Sequence, residues 1–347
     1  MTYQLLCSLR DPSYHAYLVE KGRLTVRTQF FTLDGVVVKN LLAGTFELFL
    51  SEDLDEVPLR EFQLEVDSPS EPQVIPFEDV VDMLLDYERG LAVNEFNALL
   101  IHHTNKAIAQ LASQAPWRRY EAFGKFLSKI CDQLEDLYAK HSRDEIQMVI
   151  AKLTGTHIVQ RGDRLQTLSR ITPIRSVKKE GAKGVLRVQS GSLICRDGDP
   201  SDGLYVLLEG AVVIRKGRKI LATLNSAGEA FGELSLFLDG TRTADAYAEG
   251  VTSYLHVTKA GLPEFHKEHP YLFLDIALGT TQRLRANIEE LRAMKGILSS
   301  SMDDVFRQYA TIFRDCFQYL HERTELPGVL KIAREFENGL AERESEK

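Results

Sequence analysis

Two residues of opposite charge, Glu233 and Arg242, lie nine positions apart in a glycine-containing stretch over residues 228–244. The glycines at its start, Gly228 and Gly232, let the backbone turn tightly and approach a ligand without a Cβ in the way. A short apolar run follows them and predicts one or two helical turns, whose first N–H groups can hold an anion. Because a carboxylate accepts from hydroxyls and a guanidinium pairs with phosphate, the spacing predicts a ligand that carries both a hydroxyl and a single negative charge.

The same stretch resembles the phosphate-binding cassette of cyclic nucleotide-binding domains, the family of cAMP receptor proteins and protein kinase A regulatory subunits. The residues that carry the resemblance are Phe231-Gly-Glu-Leu-Ser235 and Arg242-Thr-Ala244. Upstream, Gly191–Asp199 and Tyr205–Ile214 match two strand-and-turn signatures of the family in the same order. The resemblance extends over residues 155–298.

This resemblance implies a role for each residue of the cassette. Glu233 is expected to accept a hydrogen bond from the ribose 2′-hydroxyl, and Arg242 is expected to pair with the cyclic phosphate. The amides around the Gly-Glu-Leu-Ser motif complete the phosphate site in that family. The predicted ligand-binding residues are Ile214, Ala222, Phe231, Gly232, Glu233, Leu234, Ser235, Arg242, Thr243, Ala244, Arg283 and Asn287.

Arg283 and Asn287 come from a predicted helix, Thr280–Leu291, that follows the cassette. In the family, a long helix at this place closes over the base and often supplies one hydrogen-bonding side chain to it. The two residues are four positions apart and share a helix face, and an Asn side chain can pair with an adenine edge. The alternative is an ordinary solvated helix face.

Thr243 bears on the choice of base. In eukaryotic members of the family, a Thr after the arginine tends to accompany cGMP, whereas bacterial cAMP receptors also tolerate a hydroxyl there. We expect cAMP to be the ligand, with cGMP as the alternative, and no other cofactor.

An internal repeat precedes the cassette domain. The pattern Asp-Pro-Ser-x-x-x-Tyr of Asp11–Arg27 recurs without gaps in Asp199–Arg215, at an offset of 188 positions. The same offset pairs Leu5–Cys7 with Leu193–Cys195. The chain therefore begins within what resembles a second copy of the domain.

The first copy is predicted to be degenerate. Ala43–Leu50 lies where the cassette should open, but the second glycine is missing between Phe46 and Glu47. The acidic stretch Ser51–Pro58 would repel a phosphate, and Arg60 is interpreted as a remnant of the phosphate arginine. We expect this copy to bind no cyclic nucleotide.

The predicted fold class is α+β, with two β jelly-roll domains, the first degenerate and the second intact, joined and followed by helices. The predicted domains are 1–115 for the degenerate copy, 116–154 for a helical connector, 155–298 for the intact copy and 299–347 for C-terminal helices. A basic segment, Arg175–Lys179, enters the intact copy and is interpreted as solvated surface.

An apolar stripe marks the connector helix. Its members are spaced at four, three, four and three positions, which is typical of one helix face. We expect this face to pack against the rest of the chain, and a short dimer seam is the alternative. The stripe consists of Phe123, Leu127, Ile130, Leu134 and Leu137.

Composition limits the remaining function classes. The 347 residues carry a net charge of −8, and residues 299–347 have seven Lys and Arg against ten Asp and Glu, which disfavours DNA or an anionic membrane as partner. The four cysteines show no metal-like spacing, and no signal sequence or membrane-length apolar run is present, so a cytoplasmic protein is expected.

No catalytic motif is recognisable in the sequence. We therefore expect a non-catalytic receptor for a cyclic nucleotide that changes conformation on binding and regulates an unidentified protein partner. A homodimer is compatible with the sequence. The alternatives are a regulatory subunit that inhibits an enzyme until nucleotide arrives, and a scaffold whose pocket is vestigial.

Overall fold

The computed structural model describes residues 2–50, 57–69, 71–162, 184–217, 219–238 and 240–345. The basic segment Arg175–Lys179 and most of the acidic stretch Ser51–Pro58 lie outside these ranges. Contacts divide the chain into two compact units, one of Met1–Ala107 with Gln166–Glu289 and one of Ile108–Leu165 with Glu290–Lys347. This division does not follow the four consecutive domains of the sequence analysis, whose boundaries stay predictions.

The first unit begins with a five-stranded antiparallel sheet in the order β1-β4-β2-β3, to which β5 is added along β2. Apolar residues alternate with polar ones along β4, which is the pattern of a sheet with one buried face. The strands are β1 (Thr2–Cys7), β2 (His15–Arg27), β3 (Thr32–Ala43), β4 (Gln63–Ser68) and β5 (Gln73–Pro76).

A second antiparallel sheet of six strands follows in the same unit, in the order β10-β8-β11-β6, with β7 on β11 and β9 on β8. Its longest pairing joins β8 and β11, whose register includes Ile214 opposite Ala246 and Tyr205 opposite His256. The strands are β6 (Val185–Val188), β7 (Leu193–Cys195), β8 (Gly203–Lys216), β9 (Lys219–Leu224), β10 (Ala230–Phe231) and β11 (Asp245–Thr258).

In the described residues, six α-helices accompany the sheets, and two of them are long. These sheets and helices confirm the α+β class, while the interpretation of the first sheet as a degenerate jelly roll stays a prediction. The helices are α1 (Thr45–Leu48), α2 (Phe77–Leu84), α3 (Tyr87–Ala112), α7 (Glu233–Phe237), α8 (Leu262–Glu268) and α9 (Leu272–Leu298).

Nine of the first ten residues of α9 are buried and the tenth, Leu278, is half-buried, which is the pattern of a helix enclosed in a core. Its side chains Leu274, Ala277, Leu284 and Ile288 belong to the apolar core of the first sheet. Phe273 and Ile276 belong to a separate core cluster beneath the second sheet. One helix therefore contributes to the cores under both sheets.

The second unit is helical, and its core confirms the predicted apolar stripe. Phe123, Leu127, Ile130, Leu134 and Leu137 all lie on α4 and all are buried. They pack in one cluster with residues of the other helices of this unit. The helices are α4 (Ala115–His141), α5 (Asp144–Thr154), α6 (His157–Gly162), α10 (Met302–Thr324) and α11 (Pro327–Ser345).

Gly90 permits the close approach of α3 to α9, and this generates a prediction about stability. A Cβ on Gly90 would lie 2.6 Å from the carbonyl oxygen of Leu84 and 2.8 Å from Cβ of Phe273. We expect Gly90→Ala to lower the free energy of unfolding by about 1–3 kcal/mol through overpacking. The matched control is Gly296→Ala, at a helical site where an added Cβ has nothing within 4 Å. This substitution should instead raise the free energy of unfolding, measured by urea denaturation, by about 0.5–1 kcal/mol. Equal effects of the two substitutions would contradict this packing.

Candidate functional site

The cassette opens at a glycine that no other residue can replace without displacing its neighbours. Gly232 has a left-handed conformation with φ of 75° and precedes the first residue of α7. A Cβ at this position would lie 2.5 Å from Nη1 of Arg242. The glycine therefore serves both the turn into α7 and the approach of the guanidinium to the backbone.

Arg242 lies buried in the cassette, with 3% of its surface exposed. Its two terminal nitrogens donate to acceptors on two stretches of the chain, residues 202–205 and 232–235, so its position is fixed before any ligand arrives. Nη1 donates to the carbonyl oxygens of Gly203 at 2.8 Å and Gly232 at 2.9 Å and to Oγ of Ser235 at 3.3 Å; Nη2 donates to Oδ1 of Asp202 at 3.0 Å and Oη of Tyr205 at 3.3 Å.

Stacked aromatic rings pack against this guanidinium. The Cζ atom of Arg242 lies 4.9 Å from the centre of the Tyr205 ring, a cation–π distance. Phe231 and His256 stack on the same tyrosine, with ring centres 5.0 and 4.8 Å away. Burial raises the pKa of Tyr205, although Arg242 opposes the shift, so its hydroxyl stays protonated at neutral pH.

Glu233 is the other charged residue of the cassette, and its partner in the structure is Arg283 of α9. Oε1 of Glu233 lies 2.5 Å from Nη1 of Arg283, and the carboxylate side chain is only 4% exposed. In the described part of the chain, Glu233 and Arg242 form no ion pair with each other. The sequence predicted that Arg283 would reach the base, but the structure places it on the acid expected to bind the ribose.

Asn287 is also placed differently from its predicted position. Its Nδ2 donates to Oγ1 of Thr104 at 2.9 Å and to Oδ1 of Asn105 at 3.0 Å, both on α3. The side chain is thus engaged by α3, and a contact with the base would require it to leave these partners.

The other predicted residues lie around the cassette. Ser235 is buried, and its hydroxyl donates to the carbonyl oxygen of Gly232 at 3.0 Å. Ile214 and Ala222 face each other across the β8–β9 pair, and both are half-buried. Leu234 and Ala244 are half-buried, whereas Thr243 is exposed.

Little space remains between the cassette and α9. The cavity there has a volume of about 10 Å³, far smaller than a nucleotide. Its wall includes Glu233 of the cassette and Thr280 and Arg283 of α9. The Glu233 carboxylate therefore has little free space on the side that faces α9.

The first sheet carries a second buried arginine in the same setting. Gly44 has φ of 82° and precedes α1, and a Cβ on it would lie 2.5 Å from Nη1 of Arg60. Arg60 is 1% exposed, donates to the carbonyl oxygens of Gly44 and His15, and lies over the ring of Tyr17. The sequence pattern predicted this glycine between Phe46 and Glu47, but Gly44 occupies that role, 188 positions before Gly232.

Glu47 distinguishes the two arginine sites and was missed as a functional residue by sequence reasoning. It is fully buried, and its Oε2 lies 3.3 Å from Nη1 of Arg60. Its Oε1 accepts from the backbone N–H groups of Glu61 at 3.0 Å and Phe62 at 3.3 Å. Burial raises the pKa of this carboxyl, while Arg60 and the two amides oppose that shift. The repeat offset of 188 could have identified it, because it pairs Glu47 with Ser235.

Metal and thiol chemistry find no support in the described residues. They contain no group of three or more His, Cys, Asp or Glu placed to hold a metal ion. Burial raises the pKa of Cys7 to about 11 and also raises that of Cys195, so neither thiol is activated. Across the ranges that the structure covers, a helix suited to crossing a membrane is absent.

Comparison with known proteins agrees with the geometry of the cassette. A family profile described as the cyclic nucleotide-binding domain matches residues 185–269. The chain is 33% identical over 96 residues to the cAMP-dependent protein kinase type II regulatory subunit of Drosophila melanogaster, which covers 26% of this chain and 25% of that protein. It is 33% identical over 118 residues to Glutaminase 1 of Bradyrhizobium diazoefficiens, covering 34% of this chain and 18% of that protein.

Among solved structures, the Thermus thermophilus Catabolite Activator Protein matches 32% of this chain and 54% of its own, with 28% identity and a TM-score of 0.30. The chain thus spans a quarter or less of the two curated relatives named above, and their whole activities do not transfer to it. Residues 185–269 form a domain of the cyclic nucleotide-binding family.

Proposed function

We propose that this chain is a non-catalytic receptor for a cyclic nucleotide, preferentially cAMP, and that binding changes its conformation to regulate a protein partner. The observation that carries the proposal is the buried guanidinium of Arg242, fixed beside Gly232 and Ser235 in the cassette. A cation held in place by four neutral acceptors and one exposed carboxylate is pre-organised for an anion, because little rearrangement is needed when the anion binds.

The carboxylate that contacts Arg242, that of Asp202, is exposed and leaves access for a phosphate. Asp202 comes from the segment before β8, and its side chain is 63% exposed. A cyclic phosphate arriving from solvent can therefore share or replace this contact at Nη2 without disturbing the buried carbonyl acceptors on Nη1. The charge-assisted hydrogen bonds formed in this way are the strong type.

Glu233 links ligand binding to a movement of the chain. The ribose hydroxyl is proposed to bind the carboxylate that Arg283 holds in this structure. Nucleotide binding would then weaken or redirect the Arg283 contact and shift α9 between two arrangements. Such a shift requires that the nucleotide bind one arrangement more tightly than the other.

The first sheet is proposed to be a degenerate copy of the same domain, which binds no nucleotide. Glu47 supplies an internal carboxylate to Arg60, in place of an external phosphate. Thr45 stands at the start of α1, where Glu233 stands at the start of α7, so the ribose acid is absent. A phosphate entering this site would meet a buried carboxylate, and its binding is disfavoured by like charge.

The similarity to a kinase regulatory subunit favours one specific alternative. In it, the chain inhibits an enzyme until the nucleotide arrives. Copurification of an enzyme that cAMP releases would favour this alternative over regulation of a non-enzyme partner. A cGMP receptor is the alternative for the ligand, because the exposed Thr243 beside Arg242 offers a hydroxyl near the phosphate site.

Isothermal titration tests the ligand and the stoichiometry. We expect one cAMP to bind per chain, because only the second site lacks an internal carboxylate, and we expect cGMP to bind more weakly. Two cAMP molecules per chain would contradict the degenerate first site. Tighter binding of cGMP would overturn the preference for cAMP, and no heat with either nucleotide would support a vestigial pocket.

Substitution of the phosphate arginine tests the cassette directly. Arg242→Leu should weaken cAMP binding by about 2–4 kcal/mol, or roughly 30- to 1000-fold, because it removes a desolvated charge pair. The control is Arg187→Leu, at an exposed position on β6 of the same sheet, which should bind as the wild type does. Arg242→Lys keeps the charge but loses the planar fork, and should bind more weakly even where the leucine variant fails to fold. Wild-type affinity in a folded Arg242→Lys or Arg242→Leu protein would refute the assigned role.

A substitution at Glu47 tests whether the first site is filled from within. Glu47→Gln leaves Arg60 buried without its counter-charge and should lower the free energy of unfolding by about 3–5 kcal/mol. Ser235→Ala, at the matching position of the second site, should cost less, about 1–2 kcal/mol, because Arg242 keeps its two carbonyl acceptors and the Asp202 carboxylate when the Ser235 hydroxyl is lost. Chemical denaturation measures both. The interpretation fails if Glu47→Gln is no more costly than Ser235→Ala.

A further inference from the structure

Helix α9 is tied to α3 by side-chain amides in the interior of the first unit. Asn94 is fully buried, and its Nδ2 donates to the carbonyl oxygen of Phe273 at 2.8 Å. Asn97 is 2% exposed, and its Nδ2 lies 3.2 Å from Oγ1 of Thr280. The third tie is the pair of hydrogen bonds from Asn287 to α3. These contacts of Asn94, Asn97 and Asn287 are called the amide ties below.

The amide ties act on the helix segment that carries the partner of the ribose acid. Thr280, Arg283 and Asn287 follow one another at three and four positions, so they lie along one stripe of α9. Thr280 and Asn287 hydrogen-bond to α3, and Arg283 between them binds Glu233. The axial position of Arg283 is therefore set by contacts on either side of it.

A movement of α9 away from this position is costly while the amide ties are made. A buried amide that loses its partner costs roughly 1–3 kcal/mol. The apolar side chains that α9 contributes to the core of the first sheet resist the same movement. The amide ties and the apolar core both favour the arrangement in which Arg283 is paired with the Glu233 carboxylate.

We propose that the N-terminal domain, predicted as residues 1–115 and containing α3, lowers nucleotide affinity by holding α9, through the amide ties, in the arrangement where Arg283 pairs with the carboxylate needed by the ribose. This inference rests on the proposed function, namely nucleotide binding at the cassette. It gives the N-terminal domain a regulatory role that does not require any ligand of its own. The apparent association constant equals the intrinsic association constant multiplied by the fraction of chains in which α9 has released Glu233.

The coupling is reciprocal by thermodynamic necessity. Loosening the amide ties should raise nucleotide affinity, and bound nucleotide should loosen the ties by the same factor. Asn287 gives the sharpest test, because its two possible roles predict opposite signs. As a tie its removal strengthens binding, whereas as a base contact its removal weakens binding.

The experiment is isothermal titration of the full chain with cAMP, using Asn287→Ala, Arg283→Gln and the double variant. We expect each single variant to bind cAMP about 5- to 30-fold more tightly than the wild type, within the usual range of allosteric coupling. The double variant should bind no more tightly than Arg283→Gln alone, because the tie acts only through Arg283. Arg285→Gln, an exposed position on the same helix, should leave the affinity unchanged.

Every outcome bears on the inference. Weaker or unchanged binding by Asn287→Ala overturns it, and so does a double variant in which the two effects simply add. If the melting temperature of Asn287→Ala lies several degrees below that of the wild type, Asn97→Ser provides a second variant that loosens an amide tie. It should also bind cAMP more tightly than the wild type. Absence of any cAMP binding by the wild type would refute the proposed function instead, which distinguishes the two failures.

Discussion

A guanidinium buried beside a glycine carbonyl is the constraint on which the rest of this structure depends. A charge taken out of water must find fixed acceptors, or the domain is destabilised by several kcal/mol. Arg242 finds them in two carbonyl oxygens, two hydroxyls and one carboxylate. Gly232 must then lack a side chain, and Tyr205 must lie beneath the cation. The local fold of the cassette follows from the need to hold this one cation.

The chain contains two such buried arginines, and the carboxylates that pair with them differ in exposure. Arg60 is neutralised from within by Glu47, whereas Arg242 is met by an acid at the exposed rim. A fully internal pair gives a site that is complete without a ligand. A site with a solvent-facing acid keeps the capacity to exchange its counter-ion. Glu47 in place of Ser235 and Thr45 in place of Glu233 thus distinguish the two arginine sites.

The sequence predicted the parts of this site that depend on local spacing and missed those that depend on distant contacts. The cassette, the α+β class and the stripe on α4 follow from short-range patterns, and the structure confirms the class and the helix. The pairing of Glu233 with Arg283 spans 50 positions, and Asn287 reaches α3 across more than 180. No periodicity encodes such pairs, because they arise when one helix enters the cores of two sheets. The repeat offset of 188 pairs Glu47 with Ser235. The sequence pattern nevertheless missed Glu47, because the glycine was expected between Phe46 and Glu47 and not at Gly44.

A crystal structure of the chain with cAMP tests the central claim most directly. We expect the cyclic phosphate within hydrogen-bonding distance of the Arg242 guanidinium. We also expect the ribose 2′-hydroxyl on the Glu233 carboxylate, with the Arg283 side chain displaced from Oε1. A nucleotide bound away from these two residues, or bound while Arg283 keeps its 2.5 Å contact with Glu233 and no ribose contact forms there, would contradict the account.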